Sequence, residues 1–315
     1  MKKVISILLV TLTTIFTGCI SPNTNGIQAT TAQTDATKNS TTQDNIKKSD
    51  DKVETANPKN DNVVKKHDFF NDYKSEIESE VENAISKASS LQDEINQIQK
   101  IANTYADNAA LANTQSEMNS SSAWTYTVWD TELNNLWKRI SSSASKDVKE
   151  RILNEQRNWI SMKNEITIEN IGAPENSGSI YPLLQNNFLS DITHNRCLIL
   201  ARELAIIKHE DFVMPDRSIY GTFVDNQETG NVYGSLITRK NMENDNEAII
   251  SIYRLTTVEG TFIEKENGDL AFTSYEENVK GTIKIFGWEK AVFEVTECKD
   301  SPFNVGDSFT FDFAF

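Results

Sequence analysis

Histidine and cysteine are nearly missing from this chain. Three of each occur in 315 residues: His67, His194 and His209, and Cys19, Cys197 and Cys298. No CxxC pair and no Cys/His cluster is present, which argues against a zinc centre and against redox or thiol chemistry. GxSxG, HExxH, GxGxxG and phosphate-loop motifs are also missing, and no cofactor is implied. Basic residues are in the minority, 31 against 46 acidic, for a net charge of −15. Such a field repels nucleic acid and bare anionic membrane and steers basic partners toward the chain. Acids are abundant enough to leave a glycosidase-type carboxylate pair open, since separation in space is invisible in a sequence. Nothing raises that pair above background, and the reading is a protein that is not an enzyme.

Long apolar runs are scarce too. One stands at the start, where Lys2 and Lys3 precede the stretch Val4 to Phe16 and then Thr17, Gly18 and Cys19. It is short for a membrane span and has the layout of a secretory signal. The FTGC step resembles the lipobox of bacterial lipoproteins, which implies cleavage after residue 18 and acylation of Cys19, whose acyl chains would anchor the chain to the outer face of the cell membrane. Residues 19–66 are Thr, Asn, Gln, Asp and Lys with almost no large apolar side chain. They cannot bury enough surface to offset their ordering entropy, and read as a disordered tether.

Glycine and proline are sparse between residues 67 and 209, where apolar residues recur three and four apart and predict helices. Phe70, Tyr73, Ile77, Val81 (or Ala84), Ala88, Leu91, Ile95, Ile98, Ala102 and Tyr105 trace one stripe, fitting a coiled-coil-like helix or a helical hairpin, with Ser86, Ser89 and Ser90 as its weakest place. In WDTELNNLWKRI, Trp129, Leu133, Leu136, Trp137 and Ile140 share one helix side, and Asn134, Asn135, Lys138 and Arg139 take the rest. Asp130 and Glu132 read as residues of a helix start, favoured there by capping and the dipole; with a longer helix Asp130 becomes an ordinary polar-face residue. Asp147 with Glu150 reads as the cap of the next helix. In that helix Trp159 lies on a packed face, Gln156 points inward, and Gln156 and Arg157 are assigned structural hydrogen bonds. A last helix is expected from about Ser179 to His209. Its His194, near Asp191 and Arg196, could form a His–Asp pair on one helix face, and reads as a surface salt bridge or a helix-pairing contact.

The pieces TQSEMN at 114–119, DTELNNLW at 130–137 and LNEQRNW at 153–159, then a Gly-containing loop and Thr193, Arg196 and Leu200, together resemble the N-terminal domain of the lysozyme inhibitor LprI family. The resemblance covers about residues 114–204. It implies a small all-helical module of a secreted bacterial protein, some of whose relatives inhibit lysozyme. Members of the family usually bridge their helices with cysteines. Here Ser120–Ser122 and the stretch after Trp159 hold none, so packing must do that work, at roughly 1.5–3 kcal/mol per large apolar side chain fully buried.

From residue 210 to 315 the pattern alternates in segments such as RSIYGTFVD, EAIISIYRL and VKGTIKIFG, predicting seven or so antiparallel strands, with ENGD at 266–269 as a tight turn. In SFTFDFAF the period of two places Phe309, Phe311, Phe313 and Phe315 on one face. A small all-β barrel or sandwich follows, with 20 acidic residues against 9 basic. Cys197 and Cys298 read as two reduced, buried cysteines, an interdomain disulfide being the alternative.

The chain thus reads as multidomain: signal (1–18), tether (19–66), helical domain (67–209) and β-rich domain (210–315). The expected role is a cell-surface binding lipoprotein, its sharpest version an inhibitor of a cationic protein such as lysozyme. Two alternatives stand beside it, an assembly lipoprotein contacting another envelope protein and, ranked lower, a cell-wall hydrolase. The membrane is met only through the lipid. Expressed in a bacterium with a lipoprotein pathway, the chain is expected to incorporate labelled palmitate and to enter the detergent phase. Cys19→Ala should abolish both, and labelling that survives the substitution would exclude Cys19 as the anchor.

Overall fold

The computed structural model describes residues 68–241 and 243–315. The stretches read as signal and tether, the expected lipidation at Cys19, and His67 lie outside the described residues. Among the described residues no helix is long and apolar enough to cross a membrane.

Two helices, α1 (Lys74–Lys87) and α2 (Leu91–Ala109), form a hairpin rather than one coiled-coil-like rod. The break falls at the expected serines: Ser90 is the N-cap of α2 and accepts from Asp93 N, while Ser89 N–H donates to Asp93 Oδ2. Of the stripe, Ile77, Val81, Ala84, Leu91, Ile95, Ile98, Ala102 and Tyr105 are buried, while Tyr73 and Ala88 are only half-buried. Phe70, expected in it, is 63% exposed. It precedes the helix, and its neighbour Phe69 stacks on Trp124 instead.

In α3 (Gln115–Ser121) the TQSE motif is a complete capping box, Thr114 and Glu117 each receiving the other's backbone N–H. Then come α4 (Ala123–Ser143) and α5 (Lys146–Ile171). Because α4 begins seven residues before Asp130, that residue and Glu132 lie in the helix interior, and the capping role does not hold. Nor does Asp147 cap α5; Ser145 holds the cap position, and Asp147 sits in the first turn where the helix dipole favours an acid. A short α6 (Pro174–Ser177) and one turn of 3-10 helix lead into α7 (Tyr181–Lys208), which ends on His209 in the left-handed conformation. The long helices α4 and α7 pack along each other, and the α1–α2 hairpin lies against α4.

The β region is a meander of antiparallel strands: β1 (Gly221–Asp225), β2 (Gly234–Lys240), β3 (Asn246–Ile252), β4 (Thr256–Glu264), β5 (Leu270–Ser274), β6 (Val279–Phe286), β7 (Lys290–Cys298), β8 (Ser308–Phe311) and β9 (Phe313–Ala314). The ENGD turn joins β4 to β5, with Gly268 at φ 83°. Strand β8 pairs with β7, and β9, one residue later, pairs with β1. The last segment therefore brings the two ends of the sheet together in a near-closed barrel rather than a sandwich.

That closure overturns the single-faced reading of SFTFDFAF. Phe309 and Phe311 belong to the barrel core with Phe223, Phe272 and Phe293. At Asp312 the chain changes partner strand and slips by one residue, so Ala314 joins the barrel interior while Phe313 and Phe315 face the helices. Phe315 stacks on Trp159 of α5, ring centroids 6.1 Å apart, and its N–H bonds Thr222 O at 3.0 Å. Strand β2 is consequently covered on both faces, buried from Gly234 to Thr238. The α5–barrel contact is close: Ser161 Oγ donates to Gly230 O at 2.6 Å, and a Cβ on Gly230 (φ 77°) would lie 2.6 Å from that hydroxyl. Cys197 and Cys298 are separate thiols, one in the helical core and one at the barrel end.

Phe315 is 1% exposed and carries the end of the barrel's last segment into the helical core. Phe315→Ala is expected to cost about 3–5 kcal/mol and to shift the unfolding of helix and sheet together. Urea denaturation followed by far-ultraviolet circular dichroism and by tryptophan fluorescence checks this; two separated transitions would contradict a shared core.

Candidate functional site

Two polar centres interrupt the helical core. In the first, Glu132 of α4 is wholly buried, because its spacing of four from Val128 and Leu136 keeps it on the core stripe. It faces Glu94 of α2, itself 3% exposed, and Arg139, about two turns further along α4. Arg139 grips Glu94 in a two-pronged pair, one prong at 2.8 Å, and its Nη2 lies 3.6 Å from Glu132 Oε1. One guanidinium thus serves two buried carboxyl groups, and one of them must keep its proton. Burial first, then the charge of Glu94 and a hydrogen bond to it, push Glu132 well above the usual carboxylate range, against the pull of Arg139. As a carboxylate Glu132 would find no donor for either oxygen; as an acid it donates to Glu94. Beside it Cys197 Sγ donates to Trp129 O at 3.3 Å, and burial, then Glu132 and Asp130, push the thiol up. His194 stacks on Trp129 with ring centroids 4.1 Å apart, and burial lowers it to about 4, so it is neutral near pH 7.

The second centre is Arg196 of α7, 2% exposed. Its Nε donates to Gln156 Oε1 of α5, its Nη2 lies 3.6 Å from Glu155 Oε2, and its guanidinium is 5.7 Å from the Phe313 ring. Burial lowers it to about 10, Glu155 opposing. Glu155 is held in turn by Arg151 at 2.9 Å, which also reaches Glu203 at 2.6 Å. Above this layer a cleft of about 310 Å³ opens along the seam between helices and barrel. Its helical wall includes Asn158, Ile199 and Arg202; its barrel wall includes Glu228, Trp288 and Asp312.

A family model described as Lysozyme inhibitor LprI matches residues 106–200. That stretch is the end of α2, then α3 to α6 and most of α7, and it leaves the barrel outside. Comparison with curated proteins and with solved structures finds no match.

The residues of the LprI-like segment singled out in the sequence serve mainly to join its helices. Trp129 and Leu133 are buried, as is Trp159, over whose ring Lys163 Nζ lies at 5.0 Å. Trp137 is only partly buried and packs at the edge of the core. Asn134 is exposed, donating to Asp130 O at 2.7 Å, and Asp130 is an ordinary half-buried position. Gln156, Thr193 and Arg196 are buried, the Thr193 hydroxyl with no partner among the described residues. Arg157 is exposed and takes no part in the helix-packing bonds assigned to it; Arg196 supplies the inward guanidinium. Glu94 and Arg139 were missed, although Glu94 keeps the period of Leu91 and Ile98. The paired carboxyls of Glu94 and Glu132 lie inside the core, where no substrate bond can come between them. Among the described residues no cluster of His, Cys, Asp and Glu could hold a metal ion.

An acid raised in the folded chain keeps a proton that the unfolded chain has released, so its contribution to stability falls as pH climbs above about 4.5. Glu132→Gln keeps a donor toward Glu94 and removes that titration. The variant should gain stability over the parent as pH rises from 4.5 toward 8, the difference closing in acid, read from urea midpoints. A parent that gains on the variant over this range would mean that Glu132 is ionised. His194 acts with the opposite sign, losing stability as pH falls from 6.5 to about 4.

Proposed function

We propose that this protein is a binding lipoprotein of the bacterial envelope, anchored through Cys19, whose LprI-like helical body engages a cationic protein such as lysozyme and blocks it. The observation that carries this reading is the match of residues 106–200 to the lysozyme-inhibitor family model. A net charge of −15 supports it, since opposite charge raises the rate of encounter with a basic enzyme. The packing roles of Glu132, Gln156, Thr193 and Arg196 suit a rigid body that presents a preformed surface, which limits the ordering cost of binding. In this reading the protein is not an enzyme, and the tether gives the body reach from the membrane.

Added to a lysozyme digestion of bacterial cell walls, the full chain is expected to inhibit at micromolar concentration in low salt. Raising the salt should weaken inhibition by about tenfold or more, as screening shortens the reach of the charges. No inhibition at micromolar protein and low salt removes lysozyme as the target. Inhibition indifferent to salt removes the electrostatic account.

A further inference from the structure

The seam cleft is lined by residues of both the helices and the barrel, and its lining has a chemistry of its own. Trp288 stands at its barrel side in the turn between β6 and β7. The ring is fixed: Nε1 donates to Pro215 O at 2.8 Å, and the Arg217 guanidinium lies over the ring, 4.8 Å from its centroid. Trp288 remains partly exposed and lines the cleft. Around it stand planar polar groups, each able to make paired hydrogen bonds: Arg202 and Asn158 from the helices, Glu228 and Asp312 from the barrel. Glu228 and Asp312 are exposed. Arg196 also lines the cleft; it is buried, and its Nη2, 3.6 Å from Glu155 Oε2, makes an ion pair there but no close hydrogen bond.

Charges of both signs face the cleft, which disfavours a strongly anionic or strongly cationic occupant. A volume of about 310 Å³ suits a ligand of one or two rings. The remaining requirements are an apolar face for the indole and a rim of groups that both donate and accept. A pyranose ring meets both, with its C–H face against an aromatic plane and its hydroxyls toward carboxylates, amides and guanidinium. We propose that the seam cleft is a saccharide-binding site, with Trp288 as the stacking platform and Arg202, Glu228 and Asp312 as the hydrogen-bonding rim. A glycan held here would touch α7 and the barrel at once, and would therefore hold the two faces of the seam together.

The test is a titration of the full chain with free mono- and disaccharides, N-acetylglucosamine and its β-1,4 dimer included, followed by saturation-transfer NMR and tryptophan fluorescence. A basic hexapeptide serves as the competing probe. Saturable binding of at least one saccharide, at about millimolar dissociation constant or tighter, is expected. Trp288→Ala should weaken it by roughly tenfold or more. Because loss of the Pro215 bond could disturb the turn, Arg202→Gln and Asp312→Asn are the companion variants; both side chains lie at the rim, and each should weaken binding with the melting temperature unchanged. No saturable saccharide binding overturns the proposal, as does binding that all three variants leave intact. Saturation by the peptide and by no saccharide also overturns it, in favour of a protein segment. Since lysozyme inhibition is read in a separate assay, either result stands whichever way the other falls.

Discussion

The contact of Phe315 with Trp159 is the joint on which the architecture turns. The helical core and the barrel core are each assembled by their own periodicities, and neither needs the other for its pattern to make sense. What unites them is a slip of one residue at Asp312, which lets the final segment pair with β7 and then with β1. The slip turns two phenylalanines outward just where α5 and α7 offer aromatic and guanidinium surface. The described residues from 68 onward accordingly cluster as one compact unit, although the secondary structure changes from helix to strand near residue 210.

The LprI-like segment solves a second problem, how to hold long helices together without disulfides. Its answer is large apolar surface from Trp124, Trp129 and Trp159, together with polar side chains placed inside the core and bonded across helices. Buried polar groups add little net stability when satisfied and cost a good deal when broken, so their value lies in fixing which helices meet and in what register. Glu94, Glu132 and Arg139 tie α2 to α4; Gln156 and Arg196 tie α5 to α7. The proton kept by Glu132 follows from the same arrangement, because two buried carboxyl groups share one guanidinium.

These polar ties also explain what was legible beforehand. Helices, their order, the serine break in the hairpin and the all-β character of the last third were readable, since each rests on spacing between neighbours in the chain. Gln156 pointed inward by the same logic. Glu132 and Glu94 kept the apolar period too, but a charged residue on a stripe reads as a helix end or a solvated neighbour until its partner is known. Trp137 erred the other way: it has the period of the core yet sits at the rim of the contact between helices. The seam cleft had no signal at all, because Arg202, Glu228 and Trp288 come from three distant parts of the chain.

By itself, then, the amino-acid order determined the local elements, the acidic character, the absence of metal- and thiol-type motifs and the resemblance of the helical segment to one family. All of these depend on composition or on separations of a few residues. Only the tertiary structure decided that the sheet closes, that Phe313 and Phe315 leave the face of Phe309 and Phe311, and that Glu132 is a core acid. Each of those depends on which partner a segment meets: the two-residue last strand is settled by β1, far back along the chain, and the acid of Glu132 by Glu94 on another helix.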